Sequence, residues 1–259
     1  MKILHIVGGS KKGGAYKGAY ILHKALKELK INSKILNDDL SEGVIEDIIL
    51  LNSSFIYNIY SKIFIFFEKL FKFLLLPRPR STFTFGILGF DITKFKEYKD
   101  ADIIHIHWLK DGFINLRSIS KINKPIIWTM RDMWPFTGGS HYTVDFENYE
   151  KSFLSQKIQK YKKKKFNKDI KFIAISDWLK DKAQKSFVLQ DHSIDRIYNN
   201  VDIDKFKIIS NTEAKSFLGI STKKKIILYG SQNPQNKRKG WKIFYDTLKK
   251  LDKDKFYLL

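Results

Sequence analysis

Five short apolar runs, KILHIV (2–7), INSKIL (31–36), ADIIHIHW (101–108), KPIIWTM (124–130) and KFIAIS (171–176), recur along the first two thirds of the chain with helix-like or turn-rich segments between them. Runs that are apolar without strict alternation belong to strands buried on both faces, and strands separated by helices pair in parallel. The helical periods are legible too: AYKGAYILHKALKELK repeats apolar residues at Tyr20, Leu22, Leu26 and Leu29. DWLKDKAQKSF follows Ser176, a residue type that caps helix starts, and GFINLRSISKI reads as a further helix. SIDRIYNN follows, and past a polar stretch comes a new series: the strand KKKIILYG, the helix GWKIFYDTLKKL and the strand opening KFYLL. The expected fold class is therefore α/β. A Rossmann-like parallel-sheet domain is expected over 1–205, a connection over 206–222, and the first strand-helix-strand portion of a second Rossmann-like domain over 223–259.

At 259 residues, 43% of them hydrophobic, the chain can bury a sizeable core, and it has no cysteine, which excludes disulfides, thiolate zinc sites and a cysteine nucleophile together. The net charge of +21 raises nucleic acid or anionic membrane as partners. The excess is lysine, 42 against six arginines spread along the whole length, and arginine is the residue that reads phosphate and base edges in a bidentate way. Nucleic acid is set aside on that ground in favour of a solvated lysine surface, and KKKK (162–165) reads as a solvated helix end. The apolar run after Lys2 is too short for a signal peptide and reads as a first strand.

Segment 53–80, SSFIYNIYSKIFIFFEKLFKFLLLPRPR, breaks the alternation. Lys62, Glu68, Lys69 and Lys72 bar it from spanning a membrane. On a helical wheel Asn58, Ser61, Lys62, Glu68, Lys69 and Lys72 share about a third of the circle. Two readings stand: a helix in the membrane interface with its lysines, and Arg78 and Arg80 after it, toward anionic headgroups, or a helix packed on its own sheet or on a partner.

In an open parallel sheet ligands bind beyond the carboxyl ends of the strands. The chemistry here gathers at that edge: Gly8, Gly9, Gly13 and Gly14 after the first strand, His107 and Trp108 after the third, and Arg131 to His141 after the fourth. The glycine turn offers backbone amides to a phosphate or sugar, or simply turns a strand into a helix, and it matches neither standard nucleotide signature. His105 and His107 share one face of their strand with no third ligand at metal spacing, so no metal site is expected. Within RDMWPFTGGSHY, Asp132 and His141 suit acid/base or hydroxyl-binding work, and Trp134 and Phe136 offer faces for a sugar ring. The tripeptides Asp202-Ile203-Asp204 and Asp252-Lys253-Asp254 read as accidental.

WTMRDMWPFTGGSHY resembles the W-T-x-H-D-M-W-P-F-T-G-G-x-H-Y segment of bacterial family 4 glycosyltransferases, retaining enzymes of the GT-B fold that build capsular, exopolysaccharide and lipopolysaccharide chains. ILHIVGGSKKGGAYKGAYILHKAL, DIIHIHW, FIAISDWLKDKAQKS, IYNNVDIDKF and NKRKGWKIFYDTLKKL resemble further family segments in the family's order. The resemblance implies two Rossmann-like domains, the first taking a glycan or lipid-linked acceptor and the second a nucleotide-sugar donor. A hexose is transferred with retention, without metal or other cofactor, in the cytoplasm or peripherally at the inner membrane face. Carried over by position, Gly13, Gly14, Arg238 and Lys239 would serve the donor diphosphate. Asp132 and Arg131 would be catalytic, and His107, Trp134 and His141 would hold the acceptor.

Three positions depart from the family pattern: Arg131 replaces a histidine, Asn200 replaces a glycine, and Ser231 or Gln232 stands where many members have arginine. The family's E-x7-E carboxylate pair is absent from these 259 residues. The chain is therefore expected to hold the acceptor domain with only the start of the donor domain, and to be inactive alone. The alternative is a non-catalytic remnant that binds glycan, membrane or a partner.

Overall fold

The computed structural model describes residues 1–39, 47–51, 54–76, 82–143, 149–166, 169–221, 223–231, 233–252 and 254–259. Arg78, Arg80, Gln232 and Lys253, named above, lie outside the described residues. The chain divides into two compact units, Met1–Asn200 and Val201–Leu259.

The first unit is built on a seven-stranded, wholly parallel sheet: β1 (Lys2–Val7), β2 (Asn32–Asn37), β3 (Ile48–Leu50), β4 (Ile103–Trp108), β5 (Ile126–Met130), β6 (Lys171–Ala174) and β7 (Ile194–Arg196). The spatial order is β3-β2-β1-β4-β5-β6-β7, with β1 paired to β4 through His5 and His105. Helices α1 (Gly14–Glu28), α2 (Phe55–Leu75), α3 (Lys96–Asp100), α4 (Leu116–Ile119), α5 (Phe153–Lys165) and α6 (Asp177–Gln184) connect the strands. Ser176 does cap α6, its hydroxyl accepting the Leu179 amide. The helix expected over GFINLRSISKI is only the four-residue α4, because Phe113 and Ile114 are buried ahead of it and Ile114 bridges to Phe90.

Side chains alternate across each strand, so the sheet has two unlike faces. One carries Leu4, Ile6, Ile104, Ile106, Trp128, Met130 and Phe172 into the main apolar core. Each such burial stabilises by roughly 1.5–3 kcal/mol. The other face carries His5, His105, His107 and Thr129, all buried, and α1 lies on it with His23 edge-on to His5.

Packing decides one question the sequence left open, in α2, and overturns one expectation, in α5. In α2 it is the polar arc that faces inward in part: Ser61 and Glu68 are buried, Glu68 accepts the Phe85 amide at 3.3 Å, and Lys72 pairs with Asp111. The apolar side of the helix is left outward, with Phe66 61% and Phe73 57% exposed. In α5, Lys162 of the KKKK run is fully buried rather than solvated.

The second unit contains α7 (Asn211–Phe217), a two-stranded parallel pair of β8 (Lys225–Ile227) and β9 (Phe256–Leu258), and α8 (Trp241–Leu248) between them. Helix α7 lies inside the stretch read as a connection. Its start, Ser210 three residues before Glu213 with the hydroxyl accepting the Glu213 amide, is a cap the sequence displays.

Candidate functional site

The strand order reverses between β1 and β4, which is where an open α/β sheet leaves a crevice beyond its carboxyl edge. The loops that follow these strands touch: the Gly8 amide donates to the Trp108 carbonyl at 2.8 Å. Gly9 has φ +80°, and a Cβ there would stand 2.6 Å from the Trp108 ring, so a side chain is excluded by both backbone and space. The turn's own amides are already engaged. Gly9 donates to Asp38 Oδ1 and Lys11 to Asp39 Oδ2, each at 2.8 Å, and Gly13 donates to the Ser10 carbonyl. The place left for an anion is instead the start of α1, where no side chain caps the helix and the space beside Gly14 is open.

Across the crevice Asp132, Trp108, His141 and Thr84 form one network. Asp132 Oδ2 accepts the Trp108 indole N–H at 2.6 Å and lies 2.6 Å from His141 Nδ1, while its Oδ1 accepts the Trp134 amide at 3.0 Å. His141 Nε2 lies 3.1 Å from Thr84 Oγ1, whose hydroxyl donates to Asp111 Oδ1 at 2.8 Å. Because Thr84 has one proton and gives it to Asp111, its oxygen accepts from His141 Nε2. Backbone pairing sets this geometry: Thr84 N donates to Gly139 O at 2.9 Å and His141 N to Thr82 O at 3.0 Å. The network opens into a pocket of about 270 Å³ lined by Thr84, Trp108, His141, Lys110, Asp111 and, from α2, Ile65 and Lys72.

His107 and Trp134 take other places than a ligand contact. His107 is 1% exposed, inside the layer beneath α1. Arg131 Nη2 donates to its Nδ1 at 3.2 Å, which leaves the His107 proton on Nε2, 2.9 Å from His5 Nδ1. The hydrogen bonds thus run in one direction, Arg131 to His107 to His5. Arg131 also donates to Asn199 and passes so close to α1 that a Cβ on Gly18 would stand 2.5 Å from its Nη1. His105 meets Thr129 Oγ1 at 2.8 Å. Burial, joined by the mutual repulsion of neighbouring imidazoles and by Arg131, holds His5 and His107 well below the usual histidine range. Burial and then Arg131 bring His105 to about 3, and burial alone brings Arg131 to about 10.

His5 supplies the third imidazole that spacing along one strand did not reveal, since strand pairing brings it in from β1: ligand atoms of His5, His105 and His107 lie within 4.8 Å of one another. Neutral imidazoles suit a metal ion, but the guanidinium bonded to His107 opposes a dication, and the donor set fits a hydrogen-bonded layer better.

Trp134 is 1% exposed and Phe136 is 5% exposed, so neither offers a face to a sugar ring. The Trp134 indole donates to the Thr84 carbonyl at 2.7 Å, and Lys162 Nζ lies 3.8 Å from its ring centre. Lys162 donates to the carbonyls of Trp134 and Thr137, stapling the WPFTGG loop from below, and burial brings its ammonium down to about 7. The aromatic side chains that do line the pocket are Trp108 and Phe83. Thr84 gave no sequence signal. Lys162 gave none either: its place on the buried stripe with Ser155 and Ile158 shows only in the folded α5.

Arg238 and Lys239 belong to the second unit. They sit in a turn just before α8, with the Asn236 side chain accepting the Arg238 amide and Lys239 exposed. Asp202 and Asp204 lie in an exposed turn that the Asp202 carboxylate closes on itself.

A parallel sheet with its chemistry at the strand-order reversal defines a Rossmann-like ligand-binding domain. The model of Glycosyltransferase Family 4 matches residues 13–205, well over half of the chain, and the chain belongs to that family. Among solved structures, a glycosyltransferase from Rickettsia africae ESF-5 is similar at 14% identity over all of this chain and 67% of its own, with a TM-score of 0.48. The curated proteins contain no match.

Proposed function

We propose that this chain carries the acceptor side of an enzyme that moves a hexose from a nucleotide-sugar to a glycan or lipid-linked acceptor with retention, in polysaccharide assembly at the cytoplasmic face of the membrane. The observation that carries the reading is the Asp132–His141–Thr84 network facing the pocket beside Trp108. An acceptor sugar there finds an aromatic face in Trp108 and hydrogen-bonding groups in His141, Thr84, Lys110 and Asp111. Asp132 orients His141 and the Trp108 indole, which makes it a positioning group as much as a reacting one. Arg131 stands at the inner end of the same loop with its charge fixed by His107, so His107 acts through Arg131 and not on the acceptor.

In this reading the uncapped start of α1, at Gly13 and Gly14, suits an anionic group of the donor through the helix dipole, and within the second unit Arg238 and Lys239 are the cations suited to a diphosphate. The acceptor hydroxyl oxygen bonds to the anomeric carbon, the bond from that carbon to the diphosphate oxygen breaks, and the hydroxyl proton leaves with the diphosphate. No two glutamates among these 259 residues stand at the E-x7-E spacing. The test is His141→Gln and Asp132→Asn in a polypeptide that also carries the E-x7-E segment, assayed for sugar transfer. At least a hundredfold loss of kcat/KM is expected for each, about 2.7 kcal/mol or more. Unchanged turnover in both refutes the site, and robust transfer by the 259 residues alone refutes a requirement for the E-x7-E carboxylates.

A further inference from the structure

Helix α2 is an amphipathic helix mounted the wrong way round for a water-soluble surface. Its inward stripe, Tyr57, Ser61, Phe64, Glu68 and Lys72, recurs at three- and four-residue steps. That stripe is held by ring contacts of Tyr57 and Phe64 with Phe90, by Glu68 on the Phe85 amide, and by the Lys72–Asp111 pair. The opposite side projects Ile59, Ile63, Phe66, Phe67, Leu70 and Phe73 outward, each more than a third exposed. An apolar ridge of this length is rarely left to water. The charges around it have one sign. The only acid in α2 is the buried Glu68, while Lys62 and Lys69 are exposed one above the other on the ridge's shoulder, in a chain of net charge +21. Among the described residues no helix is long and apolar enough to cross a membrane, so the ridge is suited to lie on a bilayer and not to span one.

We propose that the outward ridge of α2 inserts into an anionic lipid monolayer, with Lys62 and Lys69 at the headgroups, and that the pocket behind the same helix takes its acceptor from that lipid surface. The second half rests on the reading of the pocket as an acceptor site. Ile65 and Lys72 of α2 line that pocket together with Trp108 and His141. A helix is about 10 Å across, so a helix lying in the headgroup layer brings the pocket within about one helix diameter of it. A sugar carried on a lipid reaches the pocket at that depth.

The lysine-shoulder geometry selects a lipid surface over a second copy of the chain, because a like-charged ridge facing itself repels while anionic headgroups attract. The experiment uses the whole chain and no sugar donor, so its outcome does not depend on turnover. Flotation with vesicles of phosphatidylcholine and phosphatidylglycerol is expected to carry the chain with the lipid, and Ile63→Ser/Phe66→Ser/Leu70→Ser, all at outward positions, is expected to lower the bound fraction at least tenfold. Lys62→Glu/Lys69→Glu is expected to lower it on these vesicles as well. Equal flotation of chain and triple variant, or no flotation of the chain, overturns insertion. A concentration-dependent dimer abolished by the triple variant, without lipid binding, overturns it in favour of a contact between copies.

Because the chain has no cysteine, a fluorophore can be placed singly at Phe66→Cys on the ridge or at Thr82→Cys on the pocket lining. Headgroup-labelled quencher lipid is expected to quench both. Quenching at 66 without quenching at 82 overturns the lipid-borne acceptor and leaves insertion standing.

Discussion

Helices α2 and α5 have opposite compositions and the same inversion. Helix α2 is mostly apolar, yet buries Glu68 and exposes its phenylalanines; α5 is rich in lysine, yet buries Lys162. In each case a charged side chain goes inside because backbone groups wait for it there: the Phe85 amide for Glu68, and the carbonyls of Trp134 and Thr137 for Lys162. A buried charge without such partners is costly, so the two sites show where the loops around the pocket are fastened.

The comparison extends to the sheet's histidine face, and acid is the strongest way to break it. His5, His105 and His107 have folded-state values below their unfolded one, so their contribution is present above about pH 6.5 and is lost as pH falls. Three such groups remove on the order of 3–4 kcal/mol between pH 7 and 5.5. Glu68 works the other way: its carboxyl is raised to about 7 by burial and then by Asp111, so it stabilises as pH falls through that value, by about 1.5 kcal/mol over the same interval. The histidines win, and urea denaturation is expected to show the chain weaker at pH 5.5 than at pH 7. A flat profile would mean those imidazoles are not buried.

Next in size is Lys162→Ala, which leaves two carbonyls unpaired and a cavity beneath Trp134; a loss of about 3 kcal/mol is expected in denaturation. Exposed Lys164→Ala in the same run changes stability by less than about 0.5 kcal/mol. If the two variants behave alike, α5 is solvated as its composition alone implies.

Glu68→Gln sharpens the comparison from the other helix. It removes a carboxylate that is ionised at a cost above about pH 7, so stability at pH 8 is expected to rise by about 2 kcal/mol, with little change at pH 4.5 where the unfolded chain is protonated too. A loss at pH 8 would mean that the carboxylate's bond to the Phe85 amide outweighs its desolvation. The smallest effect is Phe66→Ser with Phe73→Ser: both side chains face outward, and the change in folding stability is expected within about 0.5 kcal/mol. A cooperative loss of several kcal/mol would place α2's ridge inside the fold.

Much of the frame was legible because burial on both faces writes itself into a strand as an unbroken apolar run. KILHIV corresponds to β1, ADIIHIHW contains β4 and KPIIWTM contains β5. The short β3 (Ile48–Leu50) passed unread, since three residues carry no period. At the site, Asp132 and His141 stood out as chemistry after a strand, whereas Thr84 reaches His141 across 57 residues by backbone pairing that leaves no local trace. Trp134 was conspicuous for its size and turned out to be the loop's anchor.

By itself the sequence determined the parallel α/β frame, the edge at which the polar loops gather and the family segments within them, because these depend on periodicities and turns a few residues long. Which face of α2 looks outward, which lysine of four is buried, and that His5 joins His105 and His107 were decided only by tertiary structure. Those outcomes depend on which backbone groups from distant segments are left needing a partner, a quantity no local stretch of chain contains.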